Sequence, residues 1–244
     1  MSANFTDYFA AAFRLPFFTG GNINMEESTL FFKSTFERLS KKKQEKIRNA
    51  AIKIFAENGY TNAKMKMIAD EAGICVGSLY QYFETKEEVF LDAVQTMKKD
   101  LESVLLPLAA GNEPFFEKVE TVLRTLQRFS LRHPYVNKIY NEMTSEGNFQ
   151  LSMRIAEEIE SVSASCYRTI IETAKKQESF PQAIDERIFA FCLDNLFMMM
   201  QFSYSCEYYK ERKKIYLGEE KSGDNELVIA QMMRFIRGAF CFSE

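Results

Sequence analysis

Apolar residues recur every three or four positions along most of the chain, the period of helices with one buried face. From Ser40 onward, Ile47, Ala51, Ile54 and Phe55 line one such face, and Asn58-Gly59 supplies a C-terminal stop. Ile68, Ala69, Ala72, Ile74, Leu79 and Phe83 mark the inner faces of two short helices parted by Gly73, where a positive φ is cheap only for glycine. Thr85 with Glu87-Glu88 predicts the cap of a long helix running to about residue 106 and ended by Pro107. Further helices are predicted over 113–132, 135–146, 149–178, 184–212 and 225–241. Gly111 to Pro114, His133-Pro134, Gly147, Phe180-Pro181 and Gly218 to Gly223 supply the breaks. Alternating strand patterns bounded by turn residues are lacking, so the expected fold class is all-α.

The stretch before Ser40 carries two weaker helical patterns. Phe5, Tyr8, Phe9, Ala12 and Phe13 predict a short amphipathic helix over 4–15, interrupted by Pro16 and Gly20-Gly21. Phe32, Phe36 and Leu39 repeat the spacing over 28–39. An extra arm packed on the protein's own core is the simplest reading. A membrane-surface helix would need Lys and Arg on its polar face. Met25 is an alternative start. Lys41, Lys42 and Lys43 crowd the start of the next helix, where cations are unfavourable. They serve either as a solvated run or as partners for an outside anion such as phosphate.

The residues from Ala63 to Phe83 have the layout of a helix-turn-helix, which places its second helix in the DNA major groove. With the apolar positions turned inward, Val76, Gly77, Ser78, Tyr80, Gln81 and Tyr82 remain outward on that helix. Ser78 and Gln81 suit base edges, Gly77 lets the backbone approach closely, and the tyrosines reach phosphates. Lys86 starts the following helix, beside backbone N–H groups that suit a phosphate.

The run Ile68-Ala-Asp-Glu-Ala-Gly-Ile-Cys-Val-Gly-Ser-Leu-Tyr-Gln-Tyr-Phe-Glu-Thr-Lys-Glu-Glu-Val-Phe90 resembles the DNA-binding domain of TetR-family transcriptional regulators. So does the preceding helix from Ile47 to Phe55 with its Gly59-Tyr60-Thr61 exit. The likeness covers 41–95, and the His133-Pro134 break resembles one common in the family's second domain. It implies three parts: an N-terminal extension over 1–40, a helix-turn-helix domain over 41–95, and a helical effector-binding and dimerisation domain over 96–244. It also implies a homodimer whose heads read the two halves of a pseudo-palindromic double-stranded DNA operator. By that likeness Lys64, Lys66, Val76, Gly77, Ser78, Tyr80, Gln81, Tyr82 and Lys86 occupy the DNA-facing positions. Three positions depart from the family pattern. Lys64 stands where Ser or Thr commonly caps the first motif helix, which passes capping to Thr61 or Asn62. Cys75 stands where a Ser usually caps the recognition helix, and a thiol is a weak acceptor. Val76 stands where Lys or Arg is frequent. A thiol at a helix N-terminus also invites redox control, against the simpler reading of a plain cap substitution.

Charge sharpens this picture only slightly. The net charge is −3, yet residues 41–100 hold 11 Lys and Arg against 9 Asp and Glu, whereas 101–244 hold 17 against 21. The small basic excess therefore lies on the candidate DNA-reading part. The segment Phe189 to Cys206 is apolar around most of its circumference, the mark of a helix buried on several sides. Its Met and Phe side chains make adaptable pocket walls, so an apolar or aromatic small-molecule effector is expected within helices of 101–205. Asp194, Asn195 and Gln201 are polar among these, either orienting a ligand or satisfying a neighbouring helix.

Other chemistries find little support. The 5 cysteines are scattered and lack a CxxC pair, and there is 1 histidine, so no metal or cofactor is expected. His133 reads as a turn residue because no titratable partner accompanies it. Patterns for a P-loop, GxSxG, HExxH or GxGxxG are missing, which argues against an enzyme. The N-terminus lacks a secretory pattern and no apolar run reaches membrane-span length, so a cytoplasmic protein is expected. The leading expectation is a ligand-responsive DNA-binding regulator, by analogy a repressor. The alternative is a helical interaction or ligand-binding protein whose helix-turn-helix no longer binds DNA.

Overall fold

The computed structural model describes residues 31–143, 149–177, 180, 181 and 183–240. The helix expected over 4–15 and the Gly147 break lie outside these residues. The described chain forms eleven helices and no strand. They are α1 (Ser34–Glu37), α2 (Lys41–Asn62), α3 (Met65–Ala72), α4 (Val76–Tyr82), α5 (Lys86–Ala110), α6 (Phe115–Arg132), α7 (Pro134–Met143), α8 (Phe149–Lys176), α9 (Glu186–Ser205), α10 (Glu207–Gly223) and α11 (Asn225–Phe240). Two compact units result. One joins the described part of Met1–Ile54 to Asn62–Val104; the other joins Phe55–Thr61 to the described part of Leu105–Glu244.

In the first unit the apolar stripes close a small core of Phe36, Ile47, Ala51, Ile68, Ala69, Leu79, Phe83 and Phe90. Gly59 and Gly73 both have positive φ, 70° and 66°: Gly73 ends α3 as its position suggests, and Gly59 breaks the helical backbone within α2, which resumes to Asn62. Thr85 caps α5 by accepting from the Glu88 N–H at 3.1 Å, and the Glu88 carboxylate accepts from the Glu84 N–H at 2.6 Å. Arg48 forks onto Asp92 with two 2.8 Å bonds, neutralising a buried carboxylate. The cap of α3 differs from expectation. Its N-cap is Lys64, whose side chain makes no cap bond, while Thr61 and Asn62 finish the preceding helix.

The second unit is organised around α9, which packs on α6, α7, α8 and α10. Ala190, Leu193, Phe197, Met200 and Tyr204 form its buried stripe. Asp185 starts the helix, its carboxylate accepting from the N–H groups of Arg187 and Ile188 at 2.9 and 3.0 Å. An aromatic cluster ties helix ends together: Phe115 lies 4.5 Å from Phe180 and 4.9 Å from Phe240, and Phe189 lies 4.7 Å from Phe240.

Three helix boundaries depart from the sequence expectation. Pro107 lies inside α5, which continues to Ala110, and Lys118 Nζ caps the helix end on the carbonyls of Ala109 and Gly111, at 3.3 and 2.5 Å. The helix expected over 184–212 breaks at Cys206, whose backbone is extended. There the Ser205 hydroxyl donates to the Ser130 carbonyl at 3.1 Å and accepts from Asn137 Nδ2 at 2.9 Å, anchoring the end of α9 in a buried polar knot. The break expected from Gly218 to Gly223 is confined to Gly218, where φ is 75°, and helical backbone resumes beyond it to Gly223 within α10. No helix of the described residues is long and apolar enough to cross a membrane.

Candidate nucleic-acid interface

The motif's second helix, α4, is only seven residues long, so its order depends on what it packs against. Leu79 is its inward anchor, fully buried, and α4 packs on α3. On the opposite side Val76, Gly77, Tyr80 and Gln81 are exposed, Tyr80 by 48%. A Cβ built on Gly77 meets nothing within 4 Å, so the backbone there is open to an approaching molecule. Ser78 is half-buried, its Oγ 3.0 Å from Cys75 Sγ. Cys75 is the N-cap and provides no side-chain cap bond. The Ser78 hydroxyl beside it, then the N–H of Ser78, holds the thiol below its usual range. Lys64 and Lys66 are exposed at the start of α3.

Two residues sit differently from their sequence reading. Tyr82, expected to face outward, is only 8% exposed, with its ring 5.9 Å from Phe36. Lys86 is partly buried and its Nζ donates to the Ala63 carbonyl at 3.0 Å, tying the start of α5 to the segment before α3. Burial lowers its pKa from the ordinary lysine value. The motif thus brings Lys64, Lys66, Val76, Gly77, Tyr80 and Gln81 to the surface, leaves Ser78 half-covered, and turns Tyr82 inward.

Sequence reasoning assigned no role to Lys33 or Thr35, which meet the end of α4. Lys33 donates from its backbone N–H to the Tyr82 carbonyl at 2.8 Å and from Nζ to the Tyr80 carbonyl at 3.1 Å. The Thr35 hydroxyl donates to the Gln81 carbonyl. Phe36, flagged by its spacing, is the visible trace of this contact in the sequence.

This geometry matches a known one. Residues 47–93 fit the model of the bacterial regulatory proteins of the tetR family. The head is a DNA-binding domain of the TetR type. The chain is a DNA-binding transcriptional regulator. A Bacillus subtilis relative, the uncharacterized HTH-type transcriptional regulator YhgD, is 25% identical over 158 residues, 65% of this chain and 82% of its own length. Among solved structures, the TetR-like fold is shared with the transcriptional regulator FadR of Bacillus subtilis, solved in complex with stearoyl-CoA. That match has a TM-score of 0.62 at 17% identity over 79% of this chain and 96% of that one. AibR, solved with isovaleryl coenzyme A and operator DNA, matches with a TM-score of 0.54 at 15% identity over 66% and 85%.

The second unit is less uniformly apolar than its Phe- and Met-rich sequence suggests. Asp194 is half-buried; burial, and then the nearby Glu160, push its carboxyl up to about 7. Tyr140 Oη donates to Glu160 at 2.6 Å, and the fully enclosed Tyr167 senses Asp194, Tyr140 and Glu160 electrostatically. Asp194 was legible as an odd polar residue; Tyr140, Glu160 and Tyr167 were not. The one available signal is that Glu160 and Tyr167, seven apart, share a face of α8. Asn195 satisfies its own helix instead, donating to the Phe191 carbonyl at 2.7 Å. His133 is a turn residue as read: its N–H bonds the Phe129 carbonyl at 2.8 Å, and burial lowers its pKa.

Proposed function

We propose that the chain is a homodimeric repressor released from a pseudo-palindromic operator by a small molecule with an apolar body. The exposed face of α4 carries this reading: Val76, Gly77, Tyr80 and Gln81 stand clear of the protein, flanked by Lys64 and Lys66 on α3. In the proposed complex Gln81 and Ser78 contact base edges, Tyr80 and the two lysines contact phosphates, and Val76 packs against a base or sugar. Lys86 acts by fixing the segment before α3, and Tyr82 by packing beneath the recognition helix.

Dimerisation is supported by large apolar side chains left on the surface of the second unit. Ile188 and Phe191 lie one turn apart on α9, Phe191 being 68% exposed, and Phe235 is exposed on α11. An effector with an apolar body suits the Met and Phe side chains of α9. FadR and AibR bind acyl-coenzyme A molecules, and an acyl thioester is the corresponding class here. The Tyr140, Glu160, Tyr167 and Asp194 group then orients a polar part of it. An effector acts by favouring a conformation in which the two heads no longer span successive major grooves.

The test is selection from a pool of random duplexes by the purified protein, followed by competition with acyl-coenzyme A molecules of increasing chain length. The expected result is two inverted half-sites about 10 base pairs apart, or a multiple of that spacing, centre to centre. At least one chain length should release the DNA. Recovery of a single unpaired half-site would count against the dimer, and indifference to every chain length against the effector class.

A further inference from the structure

Residues 31–39 lie before the 47–93 stretch that carries the family match, yet they contact the recognition helix at its end. A helix leaves its last four carbonyls without intrahelical partners. In α4 the chain leaves the helix through Phe83, which is extended at φ −131° and ψ 140°, so the left-handed turn that would recapture those carbonyls does not form. One short turn supplies donors instead. The Lys33 N–H meets the Tyr82 carbonyl, Lys33 Nζ the Tyr80 carbonyl, and the Thr35 hydroxyl the Gln81 carbonyl. The lysine charge also suits the negative end of the helix.

The segment is anchored firmly enough to act on the helix. The Phe36 ring is 0% exposed and lies 4.8 Å from Phe83. Gln44 Nε2 donates to the carbonyls of Phe36, Glu37 and Leu39 at 3.0, 3.1 and 3.2 Å. The Arg48 guanidinium stands 5.1 Å from the Phe36 ring while paired to Asp92. The segment thus links α4 to α2 and, through Arg48, to α5. The three clamped carbonyls belong to Tyr80, Gln81 and Tyr82, two of which present side chains on the exposed face. A shift of this backbone moves those side chains directly.

We propose that residues 31–39 form a brace that sets the recognition helix on DNA, with Lys33 and Thr35 as positioning residues for sequence reading. This rests on the DNA-binding reading above. A brace and a phosphate contact make different demands on the same lysine. A phosphate contact adds affinity for any duplex and one unit of salt slope. A brace adds affinity mainly for the right sequence and leaves the salt slope alone.

The experiment uses the full chain, with Lys33→Met and Thr35→Val singly and together, and Lys33→Arg and Thr35→Ser as conservative controls. The probes are a duplex that the unaltered protein selects from a random pool and a scrambled duplex of equal length. The double variant is expected to bind the selected duplex about tenfold more weakly, the equivalent of one or two side-chain hydrogen bonds. Binding to the scrambled duplex should change by less than about twofold, with an unchanged salt slope. Backbone amides of 79–83 should exchange faster, while the conservative controls restore both readouts. Equal loss on both duplexes with a slope reduced by about one would make Lys33 a phosphate contact and overturn the brace. Unchanged discrimination with unchanged amide exchange would overturn it as well. If the unaltered protein selects no sequence at any salt concentration, the DNA-binding reading itself fails, and the brace's role in reading falls with it.

Discussion

Replacing Asp194 with asparagine keeps the side-chain shape and removes a charge that the second unit holds at a cost. In the folded chain the carboxyl titrates at about 7, raised by burial and by Glu160. In the unfolded chain it titrates near the ordinary value of about 4. The folded state therefore holds a proton that the unfolded state has already lost between those two values. Stability falls as pH rises through that window. A shift of about three units sets a ceiling of ~4 kcal/mol on the full penalty. Asparagine does not titrate, so the stability difference between the variant and the parent should grow by about 2–3 kcal/mol from pH 5 to pH 8. The offset at pH 5 depends on how well the amide finds partners, so the slope is the informative quantity. Urea unfolding at pH 5, 6, 7 and 8, at one protein concentration because association shifts the midpoint, measures it. A difference that is flat with pH, or an Asp194→Asn chain that loses ground as pH rises, would refute a buried, destabilised carboxylate at this position.

Other outcomes follow from the head. Gly77→Ala should leave thermal stability unchanged or raise it by up to about 1 kcal/mol, since the added methyl meets open space in a helix, yet weaken DNA binding at least tenfold; unchanged affinity would mean DNA does not approach that backbone. Tyr82→Phe should leave DNA affinity within about twofold, whereas Tyr82→Ala should destabilise the head by about 2–4 kcal/mol through lost packing on Phe36; calorimetry with a binding titration separates the two. Cys75→Ser supplies the missing cap acceptor and should stabilise the head by about 1 kcal/mol in thermal unfolding.

The head was largely legible because its information is local. The Gly73 turn, the Gly59 break and the Thr85 cap are short-range devices, and each sits where its residues predict, although α2 resumes beyond Gly59 to Asn62. The same spacing mislocated Tyr82, since periodicity gives a face but not the Phe36 ring that covers it. Long-range bonds were the hidden part. The break at Cys206 has neither glycine nor proline to announce it, and depends on Ser205 meeting Ser130 and Asn137 across the fold. Pro107 signals a stop, yet α5 runs on to Ala110, where Lys118 holds the end from the next helix. The polar group of Tyr140, Glu160 and Asp194 draws on three helices, so no single stretch of sequence displays it.

The central claim is that the α3–α4 face binds DNA through phosphate contacts and reads bases with α4. The most direct test is the affinity of the full chain for its selected duplex between 50 and 200 mM salt, with Lys64→Ala and Lys66→Ala beside it. Log affinity should fall linearly and steeply with log salt, each lysine variant reducing the slope by about one without changing which sequence is preferred. A slope near zero, or lysine variants that alter sequence preference and leave the slope untouched, would contradict it.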